Sequence, residues 1–598
     1  VQKPVLDIKI AKNDPNKVTL YTSSDATKTG KDVSKIIKGE HTIYGQYHFS
    51  METLACVSYP TEEGFKLYAT TQWMDVIQRA LAKINVILVF RIDIVVRRLG
   101  GTFGIKLSRA TQVATACCLA SYKLNKPSRF VQSLTNNMRA IGKRLPCSTS
   151  FEIGVSSEGI IQYINYSLYS DNGFIVNEPL IALGIDMYNN CYRSDVWNFK
   201  AYDAITDTPS NSWCRAPGSL EHIVMAEMLM ERISYELNLD PLEVRLANLD
   251  TENYSDLLEM LKTLKNNSEY AERTIATNKF NAQNRWKKRG LRFSLLRWTP
   301  FGFQYLEVIL SVYGDDGSVA ITHGGIEMGQ GINTRAIQVC AYILNIPVEK
   351  VQIKPNDTMT SPNGFPSGGS ITSQYVCLAV RKCCQELLKR LEELRKEMNN
   401  PPWEQLIKRA YEMQMDLQVH GYVNMDDIQN YNIYGITLAE VEIDVLTGEW
   451  QIIRVDLIED CGRSVNPAID VGQVEGAFIM GVGYFTSENL VFDPSTGELL
   501  TNRTWEYWVP QALDIPQDFR VYFRKKSFTT EVILGSKGTG EPATCMGVVV
   551  TFAMRHAISA ARLESGLPST EWFQIDGPFT VDKICYSCAS NIEDFKFY

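Results

Sequence analysis

The stretch Leu534-Gly535-Ser536-Lys537-Gly538-Thr539-Gly540-Glu541-Pro542 ends a three-glycine loop on a single carboxylate. Glycine reaches positive φ without steric cost, so backbone N–H groups in such a loop can converge on an anionic or polar ligand. A carboxylate beside that nest suits a general base. On its own the pattern also fits an ordinary turn.

Four more glycine-rich segments strengthen the ligand reading. Gly100-Gly101-Thr102-Phe103-Gly104-Ile105-Lys106 lies between a strand pattern and a helix pattern, the context of an anion site at a helix N-terminus. It lacks the G-x-G-x-x-G spacing of a dinucleotide fold. Trp213-Cys214-Arg215-Ala216-Pro217-Gly218 leads into a helix, and His323 to Gly331 repeats the strand, loop and helix order. Ser361 to Ser373 holds Pro366-Ser367-Gly368-Gly369-Ser370 followed by Thr372 and Ser373. Five such loops, poor in lysine, imply a large polar ligand held mainly by hydrogen bonds.

Between these loops, strand and helix patterns alternate as in an α+β (mixed α/β) protein. Strands are expected at Lys66–Thr71, Ile92–Val96, Leu306–Val312 and Ser318–His323. Helices are expected at Arg109–Lys123, Glu221–Asn238, Thr334–Leu344 and Gln374–Glu397, with another starting at Asp240-Pro241. Gly435–Asp444 and Glu449–Asp460 read as a hairpin turning at Leu446-Thr447-Gly448. Residues 269–289 are polar and nearly free of apolar periodicity, so they read as a linker. That divides the chain into a remnant of a preceding domain (1–30), a first subdomain (31–268), the linker (269–289) and a second subdomain (290–598).

The chain has 598 residues, 45% hydrophobic and 21% charged, enough for two or more cores. A net charge of −8 without basic runs argues against nucleic acid or a membrane surface as partner. The best apolar run, Ile84 to Val96, is interrupted by Arg91 and Asp93, reads as buried strand and falls short of a membrane span. Val1 is not an initiator methionine and no signal-peptide pattern follows, so the chain is expected to be a piece of something longer. Fourteen cysteines without framework spacing suggest reduced thiols and a cytoplasmic protein. The C-x-x-C of Cys585 and Cys588 has no second pair to complete a metal set, and the six histidines form no metal-spaced cluster.

Several of these segments together carry a resemblance: His323 to Gly331, Cys214 to Gly218, Asp470-Val-Gly-Gln-Val-Glu-Gly-Ala-Phe478, Gly535 to Pro542, and Gly45-Gln-Tyr-His-Phe49 with Glu52 and Tyr192. In this order, over nearly the whole chain, they resemble the molybdenum-cofactor portion of the xanthine dehydrogenase/aldehyde oxidase family. The resemblance implies two molybdopterin-binding subdomains packed around a shared cofactor site. It makes Glu541 the catalytic base and Gln72 the glutamine beside the metal. It places Thr102, Phe103, Gly104, Arg215, Met328, Gly329, Gln330, Gly368, Gly369, Ser370, Thr372, Gln473 and Thr539 against the molybdopterin. The pterin dithiolene, not the protein, would hold the molybdenum. The [2Fe–2S] clusters and FAD of the family belong to an N-terminal part this chain does not show, and family members are homodimers.

Departures from the pattern bear on substrate. Leu107 stands where purine-oxidising members have a glutamate, and the region of Leu183 lacks their purine-orienting arginine. With Pro217, these residues imply an apolar pocket for aldehydes and N-heterocycles, since purine ring atoms would lose their partners there. The wording Trp213-Cys-Arg-Ala-Pro-Gly218 is similar to that of insect-type aldehyde oxidases. Ile105 replaces a common glycine and is expected to crowd the pterin. The implied activity is oxidative hydroxylation with water as oxygen source. The alternatives are a xanthine dehydrogenase-type purine hydroxylase, an inactive fragment that keeps the fold and the dimer surface, and a nucleotide-binding module.

Overall fold

The computed structural model describes residues 3–591 apart from 86–87, 179, 302–304, 429 and 528–532. Among the described residues four sheets carry the architecture, each covered by helices. In the first, Val18–Ser24, Trp197–Ala204, Ile161–Asp171, Cys147–Val155 and Lys35–Ile43 lie side by side in that order. All its neighbours are antiparallel except Ile161–Asp171 with Trp197–Ala204. The second runs Lys287–Trp298, Ile433–Asp444, Trp450–Glu459 and Asp518–Phe523. Its strand Ile433–Asp444 is buried on both faces, which explains an uninterrupted rather than alternating apolar pattern. Side chains of both sheets, the helix Ser219–Leu237 and the helix Val549–Glu564 share one continuous core, so the two halves are not separate globules.

The remaining sheets are smaller. Val351–Ile353, Val319–His323, Leu306–Val312 and Gln418–Val423 pack beneath helices Ile332–Leu344 and Thr372–Arg390. Asn356–Asp357, Ile92–Val96, Phe65–Ala69, Ala55–Pro60 and Ser128–Val131 pack beneath Met74–Asn85 and Ala110–Leu124. Asn356–Asp357 comes from the second half of the chain and pairs with Val95 and Val96 of the first, fastening the halves beside the glycine loops.

The hairpin turns where expected: Asp444 accepts from the N–H groups of Leu446 and Thr447, and Gly448 takes φ +75°. A Cβ on Gly448 would meet the Val581 carbonyl at 1.8 Å, so only glycine fits. Asp240 caps the helix Pro241–Asn248 by accepting from Leu242 and Glu243 N–H groups, with proline in the first turn.

Three expectations change. Within Ile84 to Val96 only Ile92–Val96 is strand; residues 86–87 lie outside the described residues, and Ile84, Leu88, Val89 and Phe90 are exposed. Hydrophobicity there marks a helix end and a turn at the surface rather than a buried strand. Among the described residues one helical stretch, Gly540–Glu564, is long and apolar enough by composition to cross a membrane, yet its most apolar part is 89% buried, as in a core helix. The expected helix Gln374–Glu397 is interrupted at Leu391, between Thr372–Arg390 and Glu392–Glu397. Residues 269–289 hold the helix Tyr270–Gln283 and the start of a strand. That helix lacks an apolar stripe because ion pairs anchor it, Arg273 bonding Glu440 at 2.9 Å and Asp456 at 2.7 Å.

Candidate active site

One cavity of about 860 Å³ takes a wall from each of the five glycine loops. Every residue assigned a site role from sequence lies on it: Glu541, Gln72, Thr102, Phe103, Gly104, Arg215, Met328, Gly329, Gln330, Gly368, Gly369, Ser370, Thr372, Gln473, Thr539, Leu107, Leu183 and Pro217. Four of the loops run into the N-termini of Ala110–Leu124, Ser219–Leu237, Ile332–Leu344 and Thr372–Arg390. Those ends favour negative charge and offer unpaired N–H groups.

Close approach explains the local sequence. A Cβ on Gly104 (φ +108°) would stand 2.2 Å from the Trp213 carbonyl, so glycine lets the first two loops touch. Phe103, with φ 54°, accepts the Arg215 N–H at 3.0 Å, and the Arg215 guanidinium covers the Phe103 ring 5.1 Å from its centre. Arg215 Nη1 pairs with Glu488 at 3.0 Å and Nη2 donates to the His48 carbonyl at 2.9 Å. Glu488 also accepts from Gln46 and from the Tyr507 hydroxyl, which gives the Gly45 to Phe49 segment a supporting role behind the cavity. Ser367 joins three segments: its carbonyl accepts from Gln72 Nε2 at 2.8 Å, its N–H donates to the Gln72 carbonyl, and its hydroxyl accepts from Ile326 N–H.

Glu541 lies in the first turn of Gly540–Met546, and its N–H donates to the Ser370 hydroxyl at 3.1 Å. Loss of water around its carboxyl pushes the pKa up from the ordinary 4.5 to about 7, although the nearby Arg144 pulls the other way. Arg144 is itself held by Glu221 at 2.7 Å, which limits that pull.

Two assignments are refined. Gln330 lines the cavity but closes both ends of its amide on its own loop, through Met328 N–H and the Ile326 carbonyl. Ile105 does not crowd the cavity; it is fully buried in the core beneath the loop. Sequence reading missed Trp73, Trp298, Arg335 and Phe365, all on the cavity wall. Trp73 adjoins Gln72, and Arg335 lies one turn beyond Gly331, so adjacency to a motif was the available signal.

The donor set fits a molybdopterin. Arg215 Nε, Arg335 Nε, Gln374 Nε2 and the Trp213 indole N–H are buried without partners among the described residues, and all belong to cavity-lining side chains. A Cβ added at Gly329, Gly368, Gly472 or Gly476 would meet no protein atom within 4 Å, so packing within the protein does not demand these glycines. They leave a cradle against which a flat ligand can lie. Among the described residues no group of three or more His, Cys, Asp or Glu side chains is arranged to hold a metal ion.

Residues 10–249 and 263–516 each match a family described as Molybdopterin cofactor-binding domain. The chain belongs to the molybdopterin-binding portion of the xanthine dehydrogenase/aldehyde oxidase family. Within that family it is 34% identical to a probable aldehyde oxidase 2 of Oryza sativa subsp. japonica over 93% of the chain and 43% of that protein. It is also 34% identical to a xanthine dehydrogenase/oxidase of Gallus gallus over 94% of the chain and 43% of that protein. The chain thus spans less than half the length of these relatives. The fold is shared with quinoline 2-oxidoreductase from Pseudomonas putida 86 (TM-score 0.86, 19% identity, 98% of this chain and 82% of that one). It is shared as well with the aldehyde oxidoreductase from Desulfovibrio gigas (TM-score 0.79, 18% identity, 99% and 66%).

Proposed function

We propose that this chain is the catalytic part of a molybdenum hydroxylase that oxidises aldehydes, and N-heterocycles of similar shape, with water as oxygen source. The observation that carries the reading is Glu541: one carboxyl, pushed up to about 7, on a cavity whose glycine cradle fits the cofactor and whose wall at Leu107, Leu183 and Pro217 is apolar. Bound molybdopterin would supply the two-electron redox chemistry. Arg215, Ser370, Gln473, Thr539 and the loops at Met328 and Gly368 would hold it, and Gln72 is fixed by Ser367 at the edge of the same cavity. Glu541 takes the proton of the attacking nucleophile at its carboxylate. A pKa near neutrality leaves enough carboxylate at pH 7 while keeping it a competent base.

Leu107, Leu183, Pro217 and Trp73 line the cavity, and a purine lying against them would meet no charged group from these four. Each polar purine atom buried there without a partner would cost about 1–3 kcal/mol, which favours the aldehyde reading although identity to the two kinds of relative is equal. A cytoplasmic homodimer, receiving electrons through [2Fe–2S] and FAD domains outside this chain, belongs to the same proposal. The deciding experiment offers benzaldehyde and hypoxanthine to the molybdenum-loaded protein with an artificial electron acceptor. Benzaldehyde turnover without hypoxanthine turnover is expected; the reverse preference would establish the purine reading, and loaded protein inert to both would be a pseudoenzyme.

A further inference from the structure

Tyr431 does not line the active-site cavity, yet its hydroxyl sits between two of the loops that do. The hydroxyl donates to Gln374 Oε1 at 2.7 Å and accepts the Gly538 N–H at 3.2 Å. Gln374 stands in the first turn of the helix Thr372–Arg390, just after the Gly368–Ser370 loop, and Gly538 is three residues before Glu541. Gln374 and Gly538 both line the cavity. Tyr431 and Gln374 are buried, so water does not compete for these bonds.

This bonding leaves one arrangement of the amide. A backbone N–H can only donate, so the Tyr431 oxygen accepts from Gly538 and its own proton needs an acceptor elsewhere. Burial pushes the Tyr431 pKa up, which keeps that proton in place at neutral pH. Gln374 Oε1 receives it, and the Gln374 NH2 group is turned away; its Nε2 is buried without a partner among the described residues. With the amide reversed, the hydroxyl would face two donors and its proton would have no acceptor. The neighbours hold the same junction. Lys537 Nζ donates to the Asn432 carbonyl at 2.9 Å, and a Cβ on Gly538 would stand 2.8 Å from the Ser370 carbonyl, so glycine lets the two loops touch.

We propose that Tyr431 is a positioning residue: it aims the Gln374 amide N–H at an acceptor on bound molybdopterin and ties that donor to the loop carrying Glu541. The proposal rests on the molybdopterin reading for the ligand and on the hydrogen-bond pattern for the clamp. Gln374 is the group that meets the ligand, and Tyr431 acts through it and through Gly538. A buried amide N–H left unpaired is costly, so such a donor persists where a ligand completes it. The Arg335 guanidinium, whose Nε is likewise buried and unpartnered, lies close to Cys377, one turn further along the helix from Gln374. Two orphan donors therefore stand at this end of the cavity.

The test compares wild type, Tyr431→Phe, Gln374→Met and the double variant, each isolated with its cofactor. Phenylalanine removes only the hydroxyl, and methionine keeps the length of the side chain while removing the amide. Pterin release at a temperature below unfolding, followed by fluorescence of the oxidised ligand, is expected to quicken about three- to tenfold in each single variant, the worth of one buried hydrogen bond. The double variant should fall well short of the product of the two, because the hydroxyl works through the amide. Rates that multiply, or that do not move, overturn the proposal; a merely structural tyrosine would lower the urea midpoint and leave the rates multiplicative. A second readout needs no cofactor: hydrogen exchange of the peptide holding Gly538 should quicken in Tyr431→Phe and match wild type in Gln374→Met. Exchange unchanged in Tyr431→Phe overturns the clamp. Wild type isolated without pterin would reject the molybdopterin reading, and the exchange result would then decide the clamp by itself.

Discussion

Glu541→Gln tests the site through stability as well as rate. The Glu541 carboxyl titrates near 7 in the fold and near its ordinary 4.5 in the unfolded chain. A carboxyl with a raised folded value favours the fold fully below the unfolded value, and that contribution is lost as pH climbs to the folded one. The difference corresponds to about 3 kcal/mol at 1.36 kcal/mol per pKa unit. Glutamine is neutral throughout and has nearly the same shape. Relative to wild type, the cofactor-free Glu541→Gln protein should therefore gain nothing at pH 4 and up to about 3 kcal/mol by pH 8, with the rise falling between pH 4.5 and 7. Urea midpoints of both proteins across this range measure it. The same substitution should cut kcat at least ~10²-fold with molybdenum content unchanged, the scale of general-base catalysis. In wild type the rate should rise with pH through about 7 as the base ionises. A stability gap independent of pH, or undiminished turnover, would refute both the desolvated carboxyl and its role.

Three further outcomes follow from the same geometry. Glu488→Gln leaves the buried Arg215 without its charge partner at 3.0 Å, and should cost about 3–5 kcal/mol and lower molybdenum content; unchanged urea midpoint and metal analysis would contradict this. Gly472→Ala, within the helix Pro467–Thr486 where the added methyl meets no protein atom, should raise cofactor-free stability by up to about 1 kcal/mol while reducing bound pterin, read by fluorescence of the extracted, oxidised ligand; full pterin content would remove Gly472 from the cradle. Ser370→Gly relieves a φ of 55° but withdraws the hydroxyl that accepts the Glu541 N–H, so stability should change by less than about 1 kcal/mol while kcat falls; an unchanged kcat would show that this bond does not position Glu541.

The site was legible because its loops follow chemistry that sequence records directly. Glycines at Gly104 and Gly329 mark positive φ, and the helix patterns that follow mark N–H donors. What the sequence hid depends on three-dimensional partners. Residues 269–289 look like a linker because polar side chains dominate, yet Arg273, Glu440 and Asp456 satisfy one another across the second sheet. Exposed Leu88 and Phe90 look like strand interior because hydropathy does not distinguish a turn with apolar residues from a buried run. Arg335 beside one quoted loop and Phe365 within another had only that adjacency to mark them, and the folded cavity is what shows that their side chains reach it. Ile105 illustrates the reverse error, since a branched residue in a glycine loop threatens the ligand only if its side chain faces the cavity, and it faces the core.

Left-handed backbone at Phe103, Arg215, Ala216 and Ser370 (φ 54°, 37°, 58° and 55°) costs roughly 1–3 kcal/mol per residue, and all four line the cavity. Such strain persists only where neighbours over-determine the conformation. Phe103 and Arg215 hold each other through a backbone bond and a stacked guanidinium, while Ser370 is bonded to Glu541. Those clamps join different parts of the chain, as do Leu99 N–H to the Glu327 carbonyl and the paired bonds of Gln72 with Ser367. The Leu99–Glu327 and Gln72–Ser367 bonds cross between the halves, whereas Phe103–Arg215 lies within the first and Ser370–Glu541 within the second. Each half therefore clamps its own strained loops, and the Leu99 and Gln72 bonds then fasten the first half's loops against those of the second, so the donors aimed at the cofactor take their relative places when the halves close.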